Sequence, residues 1–170
     1  MHGFIPQVVE ALRGLPPQAI VLVISVLPGL ESRGGIIAGI NFLHRPALEV
    51  YLWACLSNIA AIAPVLAFIE PIEALLRRNR AARFLLRWFF RAAERHKRQI
   101  ERWGYWGLLV LVSTPLPGTA AWTGVALVAL LGMRRAPALA AISAGVFVCG
   151  VILAAAASGA NAVLKTWFAS

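Results

Sequence analysis

Acidic and metal-binding residues are scarce in this sequence, and aspartate is absent altogether. The three histidines, His2, His44 and His96, are far apart, and the two cysteines, Cys55 and Cys149, sit in apolar stretches without a CxxC or Cys/His spacing. Such a composition offers no nucleophile beside a base and no set of metal ligands. The sequence therefore predicts no enzyme activity, cofactor or metal, and both cysteines are interpreted as inert core residues.

Charge is scarce as well: 14% of the residues are charged and 60% are hydrophobic, and the mean hydropathy is +0.77. Soluble domains are only about 45–50% apolar. One crossing of the hydrocarbon core takes about 20 residues, and four apolar stretches are at least that long: 17–43, 47–69, 104–133 and 136–164. The sequence therefore predicts a single all-α membrane domain over 1–170, crossing the cytoplasmic (inner) membrane several times.

The first apolar stretch is interrupted in its middle by LPGLESRGG, residues 27–35. An unbroken helix is not expected there, and each flanking arm is shorter than half of a hydrocarbon core about 30 Å thick. A re-entrant helical hairpin over 19–43 is therefore predicted. Its breaking residues are Pro28, Gly29, Gly34 and Gly35, with Glu31 and Arg33 between them.

The third apolar stretch is interrupted in the same way by PLPGTAAWTG, residues 115–124. Each predicted hairpin is followed by basic residues and then by a segment long enough to cross, 47–69 in one case and 136–162 in the other. This order predicts two repeats, 1–70 and 104–170. A half with one re-entrant hairpin and one crossing traverses the membrane an odd number of times, so the repeats are expected to be inverted, with both hairpin tips meeting near the bilayer centre.

A basic stretch over 71–103 joins the predicted repeats. Ten of the sixteen Lys and Arg residues fall between Arg77 and Arg102, and many recur at steps of three or four. This spacing predicts an amphipathic helix on the membrane surface, either as a positive cytoplasmic flank that sets topology or as a binder of anionic lipid headgroups. Nucleic acid is not predicted as a partner, because no recognition fold accompanies the charge.

Glu31 and Arg33 admit two interpretations. A single charged side chain in hydrocarbon costs about 2.5–3.5 kcal/mol on insertion scales, so both must be paired or hydrated. In the structural interpretation they form a pair that fixes the hairpin. In the functional interpretation, Arg33 anchors an anionic headgroup and Glu31 is a proton-coupling or competing carboxylate.

The second interruption supplies hydroxyl groups and glycines in place of charges. Thr114, Thr119 and Thr123 either contact a substrate or satisfy the backbone of a broken helix, and Trp122 either lines the path or only packs. Gly118 and Gly124 permit close approach of a substrate to the backbone.

At these two interruptions the sequence resembles the small multidrug export family of prokaryotic membrane proteins. The family's signatures look like ELRGAIP and PLPGTGAWTG, and this chain has ESRGGII and PLPGTAAWTG. The resemblance extends over nearly the whole chain, and the family is itself distantly similar to DedA-type membrane proteins, which implies paired re-entrant hairpins and transport. The residues carried over by motif are Glu31, Arg33 and Gly34 from the first, and Pro115, Pro117, Gly118, Thr119, Trp122, Thr123 and Gly124 from the second.

The predicted function is movement of an anionic amphiphile, such as a lipid or polyprenyl phosphate, with Pro28 and Gly29 added to the site residues of the first hairpin. Proton-coupled export of hydrophobic cationic drugs and a non-transporting assembly role are the alternatives. Membrane lipids are the expected partners. Ala141 and Gly145, in small-xxx-small spacing, are compatible with a homodimer without requiring one.

Overall fold

Helices form the whole regular structure of the described part of the chain. The computed structural model describes residues 4–69, 71, 90–91, 93–116 and 121–168. The helices, in chain order, are α1 (Phe4–Ala11), α2 (Pro17–Val26), α3 (Glu31–Ile37), α4 (Ala47–Ala67), α5 (Lys97–Ser113), α6 (Ala121–Leu131) and α7 (Arg135–Phe168). A π-helical turn, Ala38–Phe42, continues α3 directly. The all-helical prediction is confirmed for these residues.

Two helices are long and apolar enough to cross a membrane. They are α4, with a mean hydropathy of 1.8, and the Arg135–Gly159 part of α7, with a mean hydropathy of 2.4. At about 1.5 Å per residue, the 21 residues of α4 extend far enough to cross a hydrocarbon core about 30 Å thick. Large apolar side chains of α4 also face outward, and Trp53 and Leu56 are 45% and 51% exposed. These features agree with the predicted spans 47–69 and 136–162.

The chain forms two compact units. The first unit comprises Met1–Asn58 together with Phe147–Ser170, and the second comprises Ile59–Val146. Neither unit coincides with a half of the sequence, because each contains one end of both α4 and α7. The division into repeats 1–70 and 104–170, and their inverted relation, stay predictions.

The core of the first unit is built where α2, α3, α4 and α7 contribute small and branched apolar side chains. One buried cluster contains Val21, Ile36, Ile40, Val50, Ala54 and Ala157. A second cluster, of Ile20, Ile24 and Ala38, is covered by apolar side chains of α1. These clusters hold the two arms of the first hairpin together and join them to α4.

The second unit depends on close approach of α5 and α7. A Cβ on Gly145 would come within 2.7 Å of Val112 Cβ and 2.9 Å of the Leu109 carbonyl oxygen. The Ala141/Gly145 stripe is therefore used at Gly145 for packing within the chain. A homodimer stays a prediction, and this part of the stripe is not available to it.

The basic helix predicted over 71–103 falls mostly outside the described residues, which omit 72–89 and 92. Its last part belongs to α5, which has a break at Gly104, where the backbone takes φ 55° and ψ −134°. Beside that break, the side chains of Trp103 and Trp106 are 58% and 74% exposed. Exposed tryptophans beside basic residues are typical of a membrane interface.

Candidate functional site

The first helix break spans residues 27–30, between α2 and α3, and contains Pro28 and Gly29 as predicted. Leu27, held in the extended region (φ −66°, ψ 127°), ends α2, because a residue before proline is disfavoured in helical geometry. Gly29 takes a φ of 93°, which glycine adopts without a steric penalty. The Leu27 carbonyl then accepts hydrogen bonds from the backbone N–H groups of Leu30 (3.2 Å) and Glu31 (3.0 Å).

Glu31 stands at the start of α3 and is buried, with 2% of its surface exposed. Its φ of 53° lies in the left-handed region, which is uncommon for a residue other than glycine and costs about 1–2 kcal/mol. Arg33, two residues later, is only partly buried. As whole residues, Arg33 is therefore more accessible than Glu31 at this break.

Gly34 and Gly35 do not break the helix, which corrects the prediction for these two residues. Both lie inside α3 and are buried. A Cβ on Gly34 would lie 3.2 Å from Ile24 Cγ2, and a Cβ on Gly35 would overlap the Ser25 hydroxyl group. Their role is to let α3 fold back closely on α2, which makes residues 17–42 a tight helical hairpin.

Cys149 of α7 belongs to the polar surroundings of this break. The Arg33 guanidinium lies within hydrogen-bonding reach of the Cys149 thiol, and Glu31 is close enough to act electrostatically on the same thiol. Cys55 of α4 is near Cys149 in turn. Both thiols are buried, as predicted, and neither forms a disulfide bond. The contact with Arg33 makes Cys149 a neighbour of the candidate site.

Asn58 of α4 is a further polar residue beside the first hairpin. It is fully buried, and its side-chain Nδ2 donates a hydrogen bond to the Ser25 carbonyl oxygen at 2.9 Å. This bond satisfies a carbonyl of the last turn of α2, which the helix itself leaves unpaired. Asn58 was not among the predicted site residues, although a polar side chain within a predicted membrane span is a signal that could have indicated it.

The second helix break begins at Thr114, which takes an extended backbone (φ −79°, ψ 122°) before Pro115. The last two polar side chains of this arm bond to their own helix: Ser113 Oγ donates to the Leu109 carbonyl and Thr114 Oγ1 to the Val110 carbonyl, both at 2.8 Å. Pro117, Gly118 and Thr119 lie outside the described residues.

Trp122, Thr123 and Gly124 are part of α6, which begins at Ala121. The prediction that the break extends through residue 124 is therefore wrong, because the apolar run that forms α6 already includes these three residues. Thr123 is buried, and a Cβ on Gly124 would lie 3.2 Å from the Ile142 side chain. The meeting of this break with the first one stays a prediction, since the two lie in different units.

A sequence model described as "Putative small multi-drug export protein" matches residues 31–152. The chain belongs to the small multi-drug export family. The family resemblance inferred from the two signatures is thus confirmed. No curated protein and no solved structure matches the chain.

The part of the chain that matches the family contains the ionic residues of the first break and their neighbours from α4 and α7. Glu31 is the first matched residue, and Asn58 and Cys149 lie within the match. The family description and the two apolar helices together indicate a membrane protein of an export type, which is not an enzyme class.

Proposed function

We propose that this protein is a transporter that moves an anionic amphiphile, such as a lipid or polyprenyl phosphate, across the cytoplasmic membrane. The first helix break is its binding site. One observation carries the proposal: Arg33 is partly accessible whereas Glu31 is 2% exposed. An approaching ligand meets the guanidinium first, and a guanidinium binds phosphate and carboxylate groups in bidentate fashion.

In this proposal the hairpin formed by α2 and α3 dips into the bilayer and returns to the same side. Its arms of 10 and 12 residues, counting the π-helical turn with α3, extend about 15–18 Å each at 1.5 Å per residue. This is roughly half of the hydrocarbon thickness, so the break would lie near the bilayer centre. Ionisable groups at that depth are costly and mark substrate pathways in membrane proteins.

Export of hydrophobic cations is the second candidate function. The family description favours it, and the buried Glu31 carboxyl group is a suitable partner for a cationic drug that exchanges with a proton. Arg33 would then repel the substrate, which is why the anionic amphiphile is preferred.

Purified protein in liposomes separates the candidates. One set of vesicles contains a fluorescent polyprenyl phosphate and the other a hydrophobic cationic dye. Movement of the lipid phosphate above that in protein-free vesicles supports the proposal, and proton-driven accumulation of the dye alone supports cation export. Failure to move either probe rejects both transport functions and favours an assembly role.

Substitutions at the break locate the site. Glu31→Gln and Arg33→Ala are expected to reduce transport strongly while the protein remains folded and inserted. The matched controls are Glu10→Gln and Arg13→Ala, because these residues form an exposed ion pair at 2.7 Å in the same unit. Loss of transport in the controls as well, or full transport in both break variants, contradicts a site at Glu31 and Arg33.

A further inference from the structure

The side-chain oxygen of Asn58, Oδ1, is buried and accepts no hydrogen bond from the described part of the chain. The Nδ2 group of the same side chain donates to the Ser25 carbonyl oxygen. A buried polar atom left unsatisfied costs about 1–3 kcal/mol. A donor for Asn58 Oδ1 is therefore expected in the working protein.

The packing of α3 on α4 indicates which residue faces Asn58. A Cβ on Gly39 would lie 2.5 Å from Val50 Cγ1, and a Cβ on Gly35 would lie 3.3 Å from Ala54 Cβ. The contacts thus pair 39 with 50 and 35 with 54, as two antiparallel helices do when residues four apart share a face. One turn further along both helices, the same register pairs residue 31 with residue 58.

We propose that Asn58 is the hydrogen-bond partner of protonated Glu31, and that this pair holds the proton that couples to transport. A protonated carboxyl group has one O–H donor, which the Asn58 Oδ1 acceptor lacks. When Glu31 releases this proton to water, the carboxylate becomes an acceptor only, and its available partner is the Arg33 guanidinium. The inference rests on the proposed function, because it concerns coupling at the same site.

Among the described residues near Glu31, Arg33 is the positively charged side chain. The helix α2 and the π-helical turn contain no titratable side chain. The helix α4 contributes Tyr51 and Cys55, and α7 contributes Cys149, which contacts Arg33. Protonation of Glu31 therefore changes the cluster from one negative and one positive charge to a single positive charge.

A consequence for substrate binding follows from this charge change. With Glu31 protonated and bonded to Asn58, the positive charge of Arg33 is no longer compensated by a negative charge on Glu31, which favours an anionic headgroup. Proton binding and anion binding then favour each other, and such linkage is reciprocal. The structure-based expectation is cotransport of a proton with the anion, whereas a cation competing for Glu31 would exchange with a proton.

Infrared difference spectroscopy on the purified protein tests the pair without any substrate. Acidification is expected to produce the C=O stretch of a hydrogen-bonded carboxyl group. This band should disappear in Glu31→Gln, shift to the position of a non-bonded carboxyl group in Asn58→Leu, and stay unchanged in Ser57→Ala, the matched control on α4. An unchanged band in Asn58→Leu overturns the proposal.

The wild-type spectrum decides the matter even when Asn58→Leu fails to fold, because a Glu31 band at the non-bonded position also overturns the pairing. In liposomes, the wild-type protein should take up protons together with the lipid phosphate, and a folded Asn58→Leu variant should lose this uptake. When the infrared bands behave as expected but no anion moves, the proposed function and the coupling to it are wrong, and only the hydrogen bond between Glu31 and Asn58 stands. When the protein transports the lipid phosphate but Asn58→Leu leaves the infrared band unchanged, the pairing of Glu31 with Asn58 is rejected and the proposed function is not.

Discussion

The two helix breaks of this protein end their first arms in the same way but carry different chemistry. Leu27 and Thr114 both take an extended backbone before a proline, and each donates its N–H to the carbonyl three residues earlier. The first break is followed at once by buried Glu31 and partly accessible Arg33. In the described part of the second break and in α6, the polar groups are hydroxyls and an indole.

The residues that end a helical arm are therefore independent of the polar residues that follow the break. A proline and its extended predecessor are sufficient to end an apolar arm, whatever follows them. At the first break the ionic residues have a polar neighbour in Cys149 of α7, and Asn58 of α4 bonds to the same hairpin at the Ser25 carbonyl. The comparison therefore favours the first break for the proposed binding and proton chemistry, and the hydroxyl groups of the second are suited to backbone or weak substrate contacts.

Glycine packing in the helices that follow the two breaks gives the largest expected difference between the two regions. Gly39→Ala should destabilise the protein by about 1–3 kcal/mol, the usual cost of overpacking, because its Cβ would press against both γ-methyl groups of Val50 at 2.5 and 2.7 Å. The same change at Gly124 meets Ile142 and Val112 side chains at 3.2 Å or more. Thermal unfolding in detergent should show a lower Tm for Gly39→Ala only, and equal Tm values would contradict the difference in tightness.

Substitution of Arg33 should lower the transport rate more than substitution of Thr123. A hydrogen bond to a charged group contributes about 1.5–3 kcal/mol, so Arg33→Ala should slow movement of a lipid phosphate about ten- to hundredfold. Thr123→Val, which removes a hydroxyl group of the second hairpin, should change the rate only a few-fold. Initial rates in liposomes measure both, and a greater loss in Thr123→Val would move the main site to the second break.

The serines near the ends of the two first arms should differ in stability by a smaller amount. Ser113 Oγ donates to the Leu109 carbonyl, and Ser113→Ala should cost about 0.5–1.5 kcal/mol. Ser25 Oγ is buried without a hydrogen-bond partner in the described part of the chain. Ser25→Ala should therefore be neutral or stabilising in the same unfolding assay, and a clear loss of stability there would reveal a partner for this hydroxyl group.

The smallest expected effect concerns the start of α7, in the second unit. Arg135 Nη1 donates to the Ala67 carbonyl at 2.8 Å in an exposed position. Arg135→Ala should lower stability by no more than about 1 kcal/mol, as is usual for exposed charged groups. Arg135→Lys is the control that retains the charge. A large loss of stability in Arg135→Ala would mean that this contact is essential to the second unit.

Much of the fold could be predicted from residues that act locally. Proline fixes its own φ and restricts its predecessor, so Pro28 and Pro115 located the end of both first arms. The lengths of the apolar stretches located α4 and most of α7. Gly34 and Gly35 were misassigned because glycine serves equally in a turn and in a close helix contact, and only the position of Ser25 and Ile24 distinguishes the two.

The charged residues of the candidate site could be predicted from the sequence, but the residues that pack around them could not. Glu31 and Arg33 stand out as charges within an apolar segment. Their proximity to Cys149 depends on the packing of α7 in the first unit, for which no spacing in the sequence gives a rule. The pairing of residue 31 with residue 58 likewise requires the register of α3 on α4, which Gly35 and Gly39 fix through contacts that are visible only in the folded chain.

The grooves at Gly35 and Gly39 also restrict how the first hairpin can move. Side chains of α2 and α4 occupy the space that a Cβ at either glycine would need, so α3 has no room to slip by a residue along either neighbour. In the proposed transport cycle, the hairpin would then move together with the adjoining half of α4. The flexible joints must lie elsewhere along the chain.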